Sequence, residues 1–190
     1  MRNVVIGFLL IVLISCVENQ TYDKVQSCES VSVNSFSNFL NVAAKTKESD
    51  LKKILGKASG GSFTDDRLVF IYKYESLKRI PISVYVNAET GKVQTVTIEV
   101  LGLNKNFDTD IEKASKKYFK NTCHSILLGK TPIQIIDIMG RPYLDNLTTD
   151  NVETEVRTLE YVTESGKINL RLNFYQSQNY RLSSIVVDWY

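Results

Sequence analysis

Histidine occurs once in this chain and cysteine three times, and those shortages exclude two kinds of object. Three cysteines cannot hold 190 residues together in the manner of a disulfide-built miniprotein. One histidine without a Cys/His cluster leaves no ligand set for zinc. An excess of one charge is missing too: 23 Lys and Arg face 21 Asp and Glu, a net of +2. A balance of that kind gives no general electrostatic footprint for nucleic acid. No G-x-S-x-G, H-E-x-x-H or C-x-x-C is present. Gly60-Gly61-Ser62 reads as a flexible turn, without the lysine of a phosphate loop. Asp108-Thr109-Asp110-Ile111-Glu112 lacks the glycine of a calcium loop and reads as helix capping. The expectation is a non-enzyme with no catalytic residue, no metal and no cofactor. Hydrophobic residues make up 43% of the chain and charged residues 23%, which is the composition of a folded protein of one or two domains.

The amino terminus carries an address. Arg2 is followed by an unbroken apolar run from Val4 to Ile14. A bilayer-spanning helix needs about 20 residues, so this run is short for a span and fits the hydrophobic region of a secretory signal. It ends in Leu13-Ile14-Ser15-Cys16, which resembles the lipobox of bacterial lipoproteins. That resemblance implies diacylglyceryl transfer to the Cys16 thiol, cleavage before it, and acylation of the new amine. Two or three acyl chains anchor stably where one is marginal. Residues 1–15 are thus read as signal peptide and 16–31 as a polar tether; an ordinary signal peptide or an uncleaved anchor, with Cys16 incidental, is the alternative. No Asp directly follows Cys16. By lipoprotein sorting patterns, this favours lipid anchoring in the cell envelope at a periplasm-facing outer membrane.

The rest is one unit written twice. Asp50-Leu51-Lys52-Lys53-Ile54-Leu55-Gly56-Lys57 matches Gln134-Ile135-Ile136-Asp137-Ile138-Met139-Gly140-Arg141. Each is the end of an amphipathic helix, closed by Gly and a base. Ile80, Ile82, Val84 and Val86 alternate with polar residues, as do Ile168, Leu170, Leu172 and Phe174. Period two means strand. Val96, Ile98 and Val100 answer Ile185, Val187 and Trp189 after a polar turn in each half. Arg67–Tyr74 and Val156–Val162 supply one more strand before each hairpin, with Tyr72 and Tyr74 assigned to the core. An earlier helix opens each half, carrying Phe36, Phe39, Leu40 and Ala43 in the first and Ile111, Ala114, Tyr118 and Phe119 in the second. The expected fold is therefore α+β: two tandem helix-loop-helix plus three-stranded antiparallel sheet units, over residues 32–103 and 104–190, helices packed on one face.

That order resembles the tandem fold of the β-lactamase inhibitory proteins and, unit by unit, the small outer-membrane assembly lipoproteins of the SmpA/OmlA type. The resemblance rests on the helix–Gly–base pattern and the repeat over about residues 32–190. It implies protein binding through sheet faces and loops, without catalysis.

Two cysteines remain after Cys16. In an exported chain Cys28 and Cys123 form either a disulfide or two separate buried thiols; Cα atoms more than about 7 Å apart would exclude the bond. A bridge would close a loop worth about 4 kcal/mol in the chain-entropy model. His124, beside Cys123, reads as a surface histidine at a helix end. With Val84 and Leu172 inward, Ser83, Tyr85, Asn87, Asn169, Arg171, Asn173 and Tyr175 face outward, joined by Thr95, Thr97, Glu99, Ser184, Val186 and Asp188. Tyr, Arg and Asn on a flat sheet have the composition of a recognition surface, and equally of a solvated antiparallel face. Tyr85, Arg171, Asn173 and Tyr175 are the candidate contacts. The expected function is a membrane-anchored lipoprotein binding a protein in the envelope, as an inhibitor or immunity protein against a toxin or hydrolase. An assembly or structural accessory, and a carrier of a small apolar ligand, are the alternatives.

Overall fold

The computed structural model describes residues 28, 30–64, 69–75, 81–99, 123–149 and 154–190. A 3-10 helix, Val33–Asn38, precedes α1 (Glu48–Leu55) and the strands β1 (Gly60–Thr64), β2 (Val69–Glu75), β3 (Pro81–Asn87) and β4 (Val93–Glu99). A second 3-10 helix, Cys123–Leu127, then leads to α2 (Pro132–Met139) and to β5 (Leu144–Thr149), β6 (Glu155–Val162), β7 (Ile168–Tyr175) and β8 (Leu182–Trp189). All eight strands lie in one antiparallel sheet of order β1-β2-β3-β4-β8-β7-β6-β5.

This corrects the α+β expectation of two helix-loop-helix units on three-stranded sheets. Among the described residues each half has four strands, and the pairing of β4 with β8 (Thr95 to Asp188 through Glu99 to Ser184) makes the sheet continuous. Phe36, Phe39 and Leu40 lie on a 3-10 helix and the turn after it, where Leu40 and Asn41 take positive φ of 55° and 62°. The three-and-four spacing there looks helical, but Ser and Asn compete for backbone hydrogen bonds, and Ser35 Oγ indeed donates to Ser32 O at 2.6 Å. The helix expected around Ile111–Phe119 lies outside the described residues. α1 and α2 are eight residues each. They fully bury only Leu51, and Pro132 with Ile135. The 3-10 segments and irregular chain supply most of the cover: Val31, Phe36, Phe39, Leu40, Val42, Leu127 and Leu128 join the sheet's core.

The overlooked strands are the two edges. β1 and β5 have no alternating burial, so period two gives no signal there. Gly60-Gly61-Ser62, expected as a turn, begins β1. A Cβ at Gly61 would lie 3.0 Å from the Ile71 carbonyl oxygen, so the close approach of β2 selects glycine.

Repetition holds at the level of single bonds. Gly56 (φ 91°) donates its N–H to Lys52 O, and Gly140 (φ 83°) donates to Ile136 O. Ser59 N–H donates to Lys73 O, and Tyr143 N–H to Glu160 O. The register slips once in each half, between Tyr85 and Val86 and between Asn173 and Phe174. These bulges bring Val93 with Val96, and Leu182 with Ile185, to the same buried face. Ile82, Val84, Val86, Val96, Ile98, Leu170, Leu172, Phe174, Ile185 and Val187 are all completely buried. One core therefore serves both halves.

Candidate protein-binding surfaces

The side of the sheet away from the core is polar, and its polar groups are largely engaged with each other. Asn169 Nδ2 donates to Glu160 at 2.6 Å, and Thr158 Oγ1 to Asn173 at 2.9 Å. Asn173 Nδ2 donates in turn to Ser184 Oγ at 2.8 Å. Asp188 accepts from Thr95 at 2.7 Å and from Arg171 at 2.8 Å. Opposed pairs of this sort stabilise a sheet locally. Two of the four candidate contacts, Arg171 and Asn173, therefore have partners within the protein already. Arg171, Asn173 and Tyr175 share β7, whereas Tyr85 stands on β3. In the register of the sheet Tyr85 lies level with Asn169, so Tyr85 and Tyr175 are three strands and about six residues apart, roughly 14 Å by 20 Å. The four do not converge on one point.

The exposed apolar surface lies elsewhere. Ile133 on α2 is 67% exposed, Leu147 on β5 57%, and Leu144 45%, with Tyr143 beside it at 80%. A groove of about 640 Å³, open to solvent, runs between α2 and β5–β6, lined by Thr131, Pro132, Ile133, Asp145, Leu147, Arg157 and Tyr180. Sequence chemistry builds its wall. Thr131 caps α2 in a box with Gln134, whose side-chain oxygen accepts from Thr131 N–H at 3.1 Å, and Pro132 takes the first turn. That cap fixes where α2 starts, and so where Ile133 projects.

At the floor Arg157 clasps Asp145 with two parallel bonds, Nε to Oδ1 at 2.9 Å and Nη2 to Oδ2 at 2.7 Å. Their hydrogen bonding holds the Asp145 carboxyl below its ordinary range and the guanidinium above its own. Tyr180 closes one end, its hydroxyl donating to Glu155. Tyr161 hydroxyl donates to Gly140 O at 3.1 Å, and burial pushes its pKa up to about 12. It ties the end of α2 to β6.

The repeat places a contrasting pair at the other edge. β1 corresponds to β5 and β2 to β6, and there Phe63 and Phe70 meet with ring centroids 4.8 Å apart, 44% and 38% exposed. Leu144 and Leu147 are separated by an odd interval on a strand and so point to opposite sides. That odd spacing was the available signal for an exposed edge, while Ile133 lies off the buried stripe of α2. Arg157 and Tyr180 gave none.

Cys28 and Cys123 come together with Cα atoms 5.2 Å apart, and their sulfur atoms are joined across a sequence separation of 95. His124 is not the surface residue expected. It is 2% exposed, stacked on Phe36 with centroids 4.2 Å apart and edge-on to Phe39 at 5.5 Å. The ring is carried inward because the 3-10 helix Cys123–Leu127 lies against the N-terminal segment. Cys16 lies outside the described residues. Among the described residues no three His, Cys, Asp or Glu side chains form a metal-binding group, and no helix is long and apolar enough to cross a membrane.

No protein-family model matches the chain, and no curated protein matches it. Among solved structures it is similar to a DUF4309 family protein (YjgB) from Bacillus subtilis, at 10% identity and a TM-score of 0.49 over 84% of this chain and 98% of the other. A DUF2874 family protein from Bacteroides ovatus is similar at 11% identity and a TM-score of 0.25, over 72% and 82%. Likenesses at this level carry no argument about function.

Proposed function

We propose that the protein is a lipid-anchored, non-enzymatic component of a bacterial cell envelope that binds another protein. The observation that carries the binding is the exposed apolar pair Ile133 and Leu147 on the α2–β5 groove, with Leu144 exposed on the other side of the same edge strand. Apolar residues collected around a groove at a sheet edge mark an interaction site more strongly than a polar face whose groups bond each other. The lipobox-like Leu13-Ile14-Ser15-Cys16 supports the anchor. A toxin, a hydrolase or an assembly protein would each fit such a rim, and the outer face around Tyr85, Arg171 and Tyr175 would flank it.

Two measurements test this. Metabolic labelling with a radioactive fatty acid should mark the wild-type chain and leave Cys16→Ser unmarked; equal labelling of both removes the anchor. Cross-linking in intact cells should yield a protein adduct that Ile133→Lys with Leu147→Lys abolishes and that Tyr85→Ala with Tyr175→Ala keeps. The reverse pattern would move the contact to the outer sheet face. An adduct insensitive to both pairs would reject both surfaces.

A further inference from the structure

The segment from Cys28 to Val42 opens the first half in sequence, yet several of its bonds run to the second. Cys28 is joined to Cys123. Ser35 Oγ lies 3.0 Å from His124 Nε2, and Phe36 stacks on the same ring. Trp189 Nε1 donates to the Phe36 carbonyl at 3.2 Å, and the 3-10 helix Val33–Asn38 packs on β7. The chain thus forms a strap laid across the second half.

Ser35 fixes the state of the histidine. Its one hydroxyl proton goes to Ser32 O at 2.6 Å, so toward His124 it can only accept, and Nε2 carries the imidazole proton. Nδ1 is then an acceptor, buried and without a partner among the described residues. The ring bonds Ser35 and lies against Phe36 and Phe39, none of which titrates. Water cannot reach Nδ1 while the strap is down.

We infer that the Cys28–Cys123 bond and the buried His124 are two fastenings of one strap, and that breaking the bond lifts the strap and admits water to the histidine while the eight-stranded sheet stays folded. The apolar side chains Val31, Phe36, Phe39, Leu40 and Val42 hold the strap down against the entropy of ordering about a dozen residues, and these opposing terms are of similar size. The cross-link decides between them by restricting the open state. Opening requires a dithiol reductant. It supplies two electrons and two protons, the S–S bond breaks, each cysteine becomes a thiol, and the dithiol leaves as its own disulfide. The exit point of the N-terminal tether, at Cys28, then moves away from Cys123, and the freed strap uncovers apolar surface on β7. The strap becomes a redox-sensitive latch between tether and body.

The chain holds one His and one Trp, and both touch the strap, so each reports on it without labels. The test compares the oxidised full chain with the same chain reduced by dithiothreitol and with Cys28→Ser. The His124 ring proton is followed by NMR against pH, Trp189 emission with acrylamide quenching, and the sheet by far-ultraviolet circular dichroism. In the oxidised form burial holds the His124 pKa at about 4. Reduced protein and Cys28→Ser should both titrate nearer 6.5, with red-shifted, quenchable Trp emission and an unchanged sheet signal. Unmoved reporters, or movement of one without the other, overturn the single strap. Loss of the sheet signal on reduction overturns the local latch.

Discussion

Acid should weaken this fold through His124, over a window that its lowered pKa defines. In the folded oxidised protein burial lowers its pKa from 6.5 to about 4, against a smaller opposing effect from hydrogen bonding at Ser35. Between those values the unfolded chain binds the proton and the folded chain does not, so stability rises with pH across the window. It is complete above pH 6.5 and lost as pH falls toward 4. A gap of about 2.5 units corresponds to roughly 3.4 kcal/mol at the plateau. The linkage relation gives a loss of about 1.7 kcal/mol at pH 5.25 and about 3 kcal/mol at pH 4. At 2% exposure the ring is too buried for solvent screening to reduce this. His124→Phe keeps an aromatic ring on Phe36 and removes the proton site. Urea unfolding of oxidised wild type and variant at pH 7.5, 5.25 and 4 should show wild-type stability falling relative to the variant by those amounts. Asp145, held below its ordinary range by Arg157, loses its contribution as pH falls through the acid range. It is common to both proteins and cancels. Parallel pH profiles for wild type and variant would refute the buried-histidine reasoning.

Three further outcomes follow from the fold. Leu172→Ala removes a fully buried side chain at the centre of the shared core and should cost about 2–5 kcal/mol in urea unfolding; a loss under 1 kcal/mol would mean that the two halves do not share that core. Gly140→Ala at φ 83° should cost roughly 1 kcal/mol, and Gly56→Ala at φ 91° should match it, since the caps are equivalent. Arg157→Met breaks the Asp145 pair, which is a third exposed, so its stability cost should stay below about 1 kcal/mol; a larger loss would make the groove floor a structural element.

Strict alternation made the inner strands legible: Ile82–Val84–Val86 and Leu170–Leu172–Phe174 announce both their conformation and their buried face. The repeat was legible through Gly56 and Gly140, whose caps share one geometry. Edge strands were not, because Gly60–Thr64 and Leu144–Thr149 bury neither face and so leave no period. Phe36, Phe39 and Leu40 carry a helical spacing without a full opening helix. Those spacings satisfy a 3-10 turn followed by a left-handed corner just as well, and Ser and Asn favour the tighter solution. His124 was misplaced for a related reason. A lone polar ring next to Cys123 looks external until the strap is laid over it, and that contact joins residues 89 positions apart. The candidate contacts were legible only in part, on similar grounds. The outward alternation of Arg171 and Asn173 was right, but only cross-strand register shows that Asp188, Thr158 and Ser184 engage them.

Duplication accounts for where apolar surface survives. A four-stranded unit has two edges, and an unpaired edge invites aggregation. Antiparallel pairing of β4 with β8 removes one edge from each unit and leaves β1 and β5 at the ends. The central register places Thr97 opposite Val186, the middle of five paired rows, so a pseudo-twofold axis passes there and the ends occupy equivalent positions. Equivalence of position makes their chemistry comparable. Tyr74 and Tyr161 occupy corresponding sites and are both 5% exposed, so the inner face has kept its pattern. At the rim, Phe63 with Phe70 stands where Leu147 with Arg157 stands in the other half, and Asp145 has a glycine, Gly61, for its counterpart. Stability demands alike cores but places no such demand on the rims. Divergence at the rims is what selection for different contacts at the two ends would leave, and the α2–β5 end combines a groove with a fixed ion pair at its floor.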